Sequence, residues 1–140
     1  MRTIASLTMT LFASALLLAT GCGEKRDASV TPEGLPVITA SAIDSFVTAG
    51  GISLIEFGGK HCGPCKSMRG ILASYTAAHP ELRVACVYWE EHPEAFKRFN
   101  VGAVPAQLVF DTDGNERLRN IGVWEKADLI AALRTLSGDF

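Results

Sequence analysis

Cys62 and Cys65 enclose a Gly63–Pro64 pair, and His61 stands directly before them. Two thiols at this spacing support three chemistries. A zinc site takes four ligands, so two more would be needed at a comparable spacing. Cys86, His61, His79 and His92 are available in number, but none forms a second close pair. A purely structural disulfide would stabilise little, because closing a two-residue loop hardly constrains the unfolded chain. Redox exchange is the third, and the surroundings favour it. A continuous apolar run, "ISLIEF", precedes the cysteines, and "KSMRGILASYTAAHP" follows them with helical periodicity. A Cys-X-X-Cys between a buried strand and a helix puts its first sulfur at the helix N-terminus. There the unpaired N–H groups and the dipole favour thiolate over thiol. Cys65, one turn in, is the less exposed sulfur and is placed to attack a mixed disulfide formed at Cys62. This chemistry calls for no metal and no cofactor.

The elements that must position the pair run from Leu35 onward. "LPVIT" reads as a short strand. "SAIDSFVTAGG" reads as a helix with Ser41 as N-cap and Asp44 in the capping-box position, an Ile43, Phe46 and Val47 stripe, and Gly50-Gly51 as its stop. "ISLIEF" is broken only by Glu56, as expected of a strand buried on both faces. After the cysteines, Met68, Ile71, Leu72 and Tyr75 form one apolar face, and Pro80 ends the helix. "LRVACVYW" is a further buried strand, and "PEAFKRFN" a short helix with Pro93 at its first position and Phe96 and Phe99 inward. "AQLVFD" and "ERLRNIG" flank "TDGN", whose Asp-Gly marks a hairpin. In "EKADLIAALRTLSG", Leu129, Ile130, Leu133 and Leu136 share one face, with Gly138 as a stop. The order is β-α-β-α-β-α-β-β-α. It predicts an α/β fold whose central mixed β-sheet is flanked by helices, with parallel crossovers first and an antiparallel hairpin last.

"CGPCK" after a buried acidic strand, followed by "VGAVP" and then a hairpin, resembles thioredoxin and its exported relatives over Leu35 to Phe140. The resemblance implies a thioredoxin fold and a thiol–disulfide oxidoreductase. A protein-disulfide reductase is the first reading, with an oxidase or isomerase, or a non-catalytic adaptor of the same fold, as alternatives. Cys62 is then the nucleophile, Cys65 the resolving cysteine, and the two form the redox disulfide. Glu56, six residues before Cys62, takes the place of the buried carboxylate that moves a proton to and from the resolving cysteine. The family has aspartate there, but any buried carboxyl has a raised pKa, so glutamate suits the role. Pro105 takes the place of the family's cis-proline, which leaves the backbone of Val104 free to bind an extended substrate as an added strand.

Other positions depart from the family pattern. The Gly63–Pro64 pair resembles the strongly reducing members. His61 replaces a tryptophan; it is either solvent-facing and inert or an imidazole that stabilises the Cys62 thiolate and makes the couple more oxidising. Gly58 replaces another tryptophan, so bulk is stripped from around the site. Cys86 falls where thioredoxin has a lysine near the acid. Loss of that cation should leave Glu56 more easily protonated, and Cys86 itself reads as an inert buried strand residue.

The first 21 residues, "MRTIASLTMTLFASALLLATG", have one early positive charge and then an uncharged, mostly apolar run, the build of a secretory signal. "LATGC" resembles the bacterial lipoprotein signal, with Cys22 as the lipidated residue. An ordinary thiol at Cys22 or an uncleaved anchor are the other readings. Residues 22–34 read as a flexible tether, leaving 35–140 as one domain. The composition, 48% apolar and 20% charged, is globular. A net charge of −2 argues against a nucleic-acid partner. The expected setting is therefore the bacterial envelope, with a monomer anchored by lipid and facing the periplasm or the outer face of the membrane. Its partners would be disulfide-containing envelope proteins, apocytochrome c among them, and a membrane dithiol as electron donor.

Overall fold

The computed structural model describes residues 29–137 of the chain. The signal segment, Cys22, the first residues of the tether and Gly138 lie outside them. Four strands form one mixed sheet in the order β2-β1-β3-β4. β1 (Ser53–Gly58) pairs parallel with β2 (Arg83–Tyr88) and antiparallel with β3 (Ala106–Phe110), which pairs antiparallel with β4 (Glu116–Ile121). The helices are α1 (Ile43–Val47), α2 (Gly63–Ala78), α3 (Pro93–Arg98) and α4 (Lys126–Ser137). Among the described residues no helix is long and apolar enough to cross a membrane.

Every residue of β1 is buried, because both faces of the central strand are covered. Alternation along it sorts two cores. Leu54 packs with Met68, Leu72 and Tyr75 of α2 and with Leu129, Leu133 and Leu136 of α4. Ile55 and Phe57 pack on the opposite face with Ile43, Val47, Phe96, Leu108 and Phe110. Period-two alternation therefore puts Glu56 on the Leu54 face, toward α2. β3 is buried throughout, whereas β4 is largely exposed, as suits an edge strand carrying Glu116, Arg117 and Arg119.

Three boundaries differ from the sequence expectation. The predicted strand at "LPVIT" makes only isolated bridges, Pro36 with Val30 and Val37 with Cys86, the latter held by the Ile38 N–H on the Cys86 carbonyl and the Cys86 N–H on the Pro36 carbonyl. Pro36 has no N–H to extend the ladder. Ser41 is not the N-cap of α1. It sits inside a 3₁₀ turn, Ala40–Ala42, with its hydroxyl bonded to that of Thr39, and Asp44 pairs with Arg98 instead of closing a capping box. Finally, residues 29–34 are packed rather than free. The Ser29 carbonyl accepts from Val37, Thr31 is buried, and its hydroxyl accepts from the Leu35 N–H. The folded body thus begins inside what composition reads as tether.

Candidate active site

β1 ends at Gly58, and α2 begins only five residues later, so the cysteines stand at the C-terminal edge of the sheet. Cys62 caps α2. Its backbone is extended, and its Sγ accepts a hydrogen bond from the Cys65 N–H at 3.2 Å. Pro64 lies in the first turn, where a missing N–H leaves no intrahelical bond unmade. The two sulfurs are joined as a disulfide. Cys62 is half-buried and Cys65 fully buried, so only the first sulfur is offered to an attacking thiol. Once the bond opens, the N-terminus of α2 favours thiolate at Cys62. His61, Gly63 and Pro64 are exposed around it.

Glu56 is fully buried, and its carboxylate curls back over Gly58. A Cβ at Gly58 would collide with both of its oxygens. Gly58 is therefore the room that the longer acid occupies, and the two departures from the family pattern are one arrangement. Among the described residues no N–H or O–H donor reaches either oxygen, and burial pushes the pKa of Glu56 up to about 7. The Arg69 guanidinium, and more weakly the adjacent Cys86 thiol, oppose that rise. Cys86 is the register partner of Glu56 on β2; burial, then the acid's charge, push its own thiol pKa up, which keeps it protonated.

A different cation stands beside the acid, although Glu56 remains easily protonated. It comes from α2: Arg69 Nη1 lies 3.9 Å from Glu56 Oε1, donates to the Gly59 carbonyl at 3.4 Å, and Nε donates to Glu33 Oε2 at 2.9 Å. Sequence reasoning passed over Arg69 and Glu33, yet a signal was present. Arg69 follows Cys65 by four residues, so it lies on the inward stripe with Met68 and Leu72, where a charge demands a buried partner.

The antiparallel pair Phe57–Ala106 carries Pro105 to the same edge of the sheet, opposite Gly58. The Val104–Pro105 peptide bond is cis, and Val104 is exposed while Pro105 is buried. Trp89, at the end of β2, is 54% exposed and lies against Gly59, which in turn abuts Cys62. It lines a cleft of about 240 Å³ together with Pro93, Phe96, Val101 and Val104. Some of the bulk absent at His61 and Gly58 is thus returned from the residue after β2, which the sequence reading had placed inside the buried strand "LRVACVYW".

The family model described as Thioredoxin matches residues 35–135. The chain belongs to the thioredoxin family. Among curated thioredoxins, that of Chlamydia caviae is 33% identical over 94 residues, covering 67% of this chain and 90% of the relative. The thioredoxin of Alicyclobacillus acidocaldarius is 31% identical over 81 residues, covering 57% and 76%. Among solved structures, oxidised mitochondrial thioredoxin 3 from Saccharomyces cerevisiae superposes with a TM-score of 0.62 at 24% identity, over 69% of this chain and 90% of that one. Chloroplastic thioredoxin z gives 0.68 at 15% identity, over 74% and 95%. At those identities the structures speak for the fold alone. With the Cys62–Cys65 pair in place, this member of the thioredoxin family is a thioredoxin-like thiol–disulfide oxidoreductase.

Proposed function

We propose that the chain is a protein-disulfide reductase of the bacterial envelope, anchored by lipid at Cys22 and working as a monomer on disulfide-containing envelope proteins, apocytochrome c included. The observation that carries the reading is the asymmetry of the pair: Cys62 caps the helix within reach of solvent, and Cys65 is fully buried behind it. In the reduced protein the Cys62 thiolate attacks one sulfur of the client disulfide and expels the other as a thiolate. Cys65 gives its proton to Glu56 and attacks Cys62, expelling the second client thiolate. Two electrons pass to the client, which takes up two protons, one from Glu56 and one from solvent. A membrane dithiol then reduces the Cys62–Cys65 disulfide. The exposed backbone at Val104, beside Pro105, supports a client segment docking there as an extended strand.

Two measurements test this. Insulin disulfides should be turned over with dithiothreitol as electron source; a rate no higher than that of a Cys62→Ser/Cys65→Ser variant would sink the enzyme. In the native host, Cys65→Ser should trap clients covalently on Cys62, and the electron donor identifies the direction of flow. For the anchor, incorporation of labelled palmitate should disappear in Cys22→Ser, and persistent labelling would overturn that assignment.

A further inference from the structure

Arg69 is 2% exposed, and a guanidinium taken out of water needs its charge offset. Its partners come from three parts of the chain. Glu33, from the packed end of the tether, accepts from Nε at 2.9 Å. The Gly59 carbonyl accepts from Nη1, which also faces Glu56 Oε1 at 3.9 Å. The ring of Tyr88, on β2, lies 5.6 Å from the guanidinium carbon. Glu33 and Arg69 neutralise each other, so the group is electrically neutral while Glu56 holds its proton. When Glu56 ionises, the group becomes net negative, and Arg69 is the cation that offsets this. The other charged or titratable groups against Glu56 are Glu33, which opposes ionisation, and the Cys86 thiol on β2.

We propose that Arg69, held in register by Glu33, is the positioning residue that sets when Glu56 releases and takes back its proton. The inference rests on the reading of Glu56 as the proton shuttle. It adds that the cation is supplied from α2 and is steered by the segment nearest the anchor. Removing the guanidinium leaves the buried Glu56 carboxyl with no cation to offset its charge and the half-buried Glu33 carboxylate still opposing ionisation, and Glu56 then stays protonated across the working range. A merely structural Arg69, one that only pins residues 29–34 to the body, would leave the protonation of Glu56 unmoved.

The test follows the Glu56 side-chain carboxyl by carbon NMR against pH in the full chain, with the disulfide oxidised, and insulin turnover is measured in the same preparations. Arg69→Met should raise the pH of half-titration by at least about one unit, a tenfold change in proton affinity, and Arg69→Lys by less. Glu33→Gln and Glu33→Ala both remove a negative charge, but only glutamine keeps an acceptor for Nε. Glu56 should titrate at higher pH in the alanine variant than in the glutamine variant. An unmoved titration in Arg69→Met overturns the inference whatever the turnover; if that variant does not fold, coincident titrations in the two Glu33 variants overturn it. A shifted titration with an unshifted pH profile of turnover upholds Arg69 and refutes instead the role of Glu56 as shuttle.

Discussion

Glu56→Gln is expected to change how stability depends on pH more than it changes stability itself. The folded protein holds the Glu56 proton up to about pH 7, against an ordinary value of 4.5. Burial is the main cause, and Arg69 only partly offsets it. Below pH 4.5 the acid is protonated in both the folded and the unfolded chain and adds no penalty. As pH rises through that window the unfolded chain releases the proton while the folded one keeps it, so folding loses stability until the folded pKa is passed. Each unit is worth about 1.4 kcal/mol, giving about 3 kcal/mol over the whole interval. Glutamine does not titrate. The stability of Glu56→Gln minus that of the parent should therefore grow by about 3 kcal/mol between about pH 4 and about pH 8. Taking the difference cancels the titrating groups that are not coupled to Glu56. Urea titrations of the oxidised proteins read it directly: at a slope near 2 kcal/mol per M, the gap between midpoints widens by roughly 1.5 M. A difference constant to within about 0.5 kcal/mol over that range would refute the account of a buried acid that keeps its proton when folded.

Other substitutions probe the packing around it. Gly58→Ala places a methyl group where the Glu56 carboxylate lies, and should cost about 1–3 kcal/mol in urea denaturation. Combining it with Glu56→Asp, which withdraws the carboxylate by one methylene, should recover at least half of that loss in a double-mutant cycle; strict additivity would deny the contact. Leu72→Ala, at a fully buried position between α2 and the sheet, should lower stability by about 3 kcal/mol without displacing the cysteines. Arg98→Ala removes an exposed pair with Asp44 and a guanidinium contact on the Phe99 ring, and should cost about 1 kcal/mol by thermal denaturation, less at high salt.

The fold was legible because its elements are short and cleanly punctuated. "ISLIEF" could only be a buried strand, and Pro80, Pro93 and the Asp-Gly turn mark boundaries that the structure keeps. Cys62 and Cys65 were legible from spacing and from the helix that follows them. Less so were features whose meaning depends on depth. Pro36 and Val37 look like strand residues, but the missing N–H of Pro36 leaves them as isolated bridges, to Val30 and to Cys86. Glu33 sits in a stretch whose composition reads as solvated, and its role appears only when the chain folds back onto Arg69. Gly58 reads as lost bulk because one-letter spacing does not show that a longer acid two residues earlier bends into its place. Trp89 was overlooked for a similar reason: its neighbour Gly59 lies 30 positions away in the chain.

The bridge between Val37 and Cys86 also bears on how copies of this chain meet one another. β2 is the end strand of the sheet, buried and apolar from Val84 to Tyr88, and such an edge invites a foreign strand to pair with it. Residues 36–38 pair with its middle, and their own outer side is met in turn by Ser29 and Val30. At the far edge, β4 presents Glu116, Arg117 and Arg119, charges that a strand from another copy would meet in the wrong register. Each edge of the described sheet thus carries a feature that discourages main-chain pairing with a second copy.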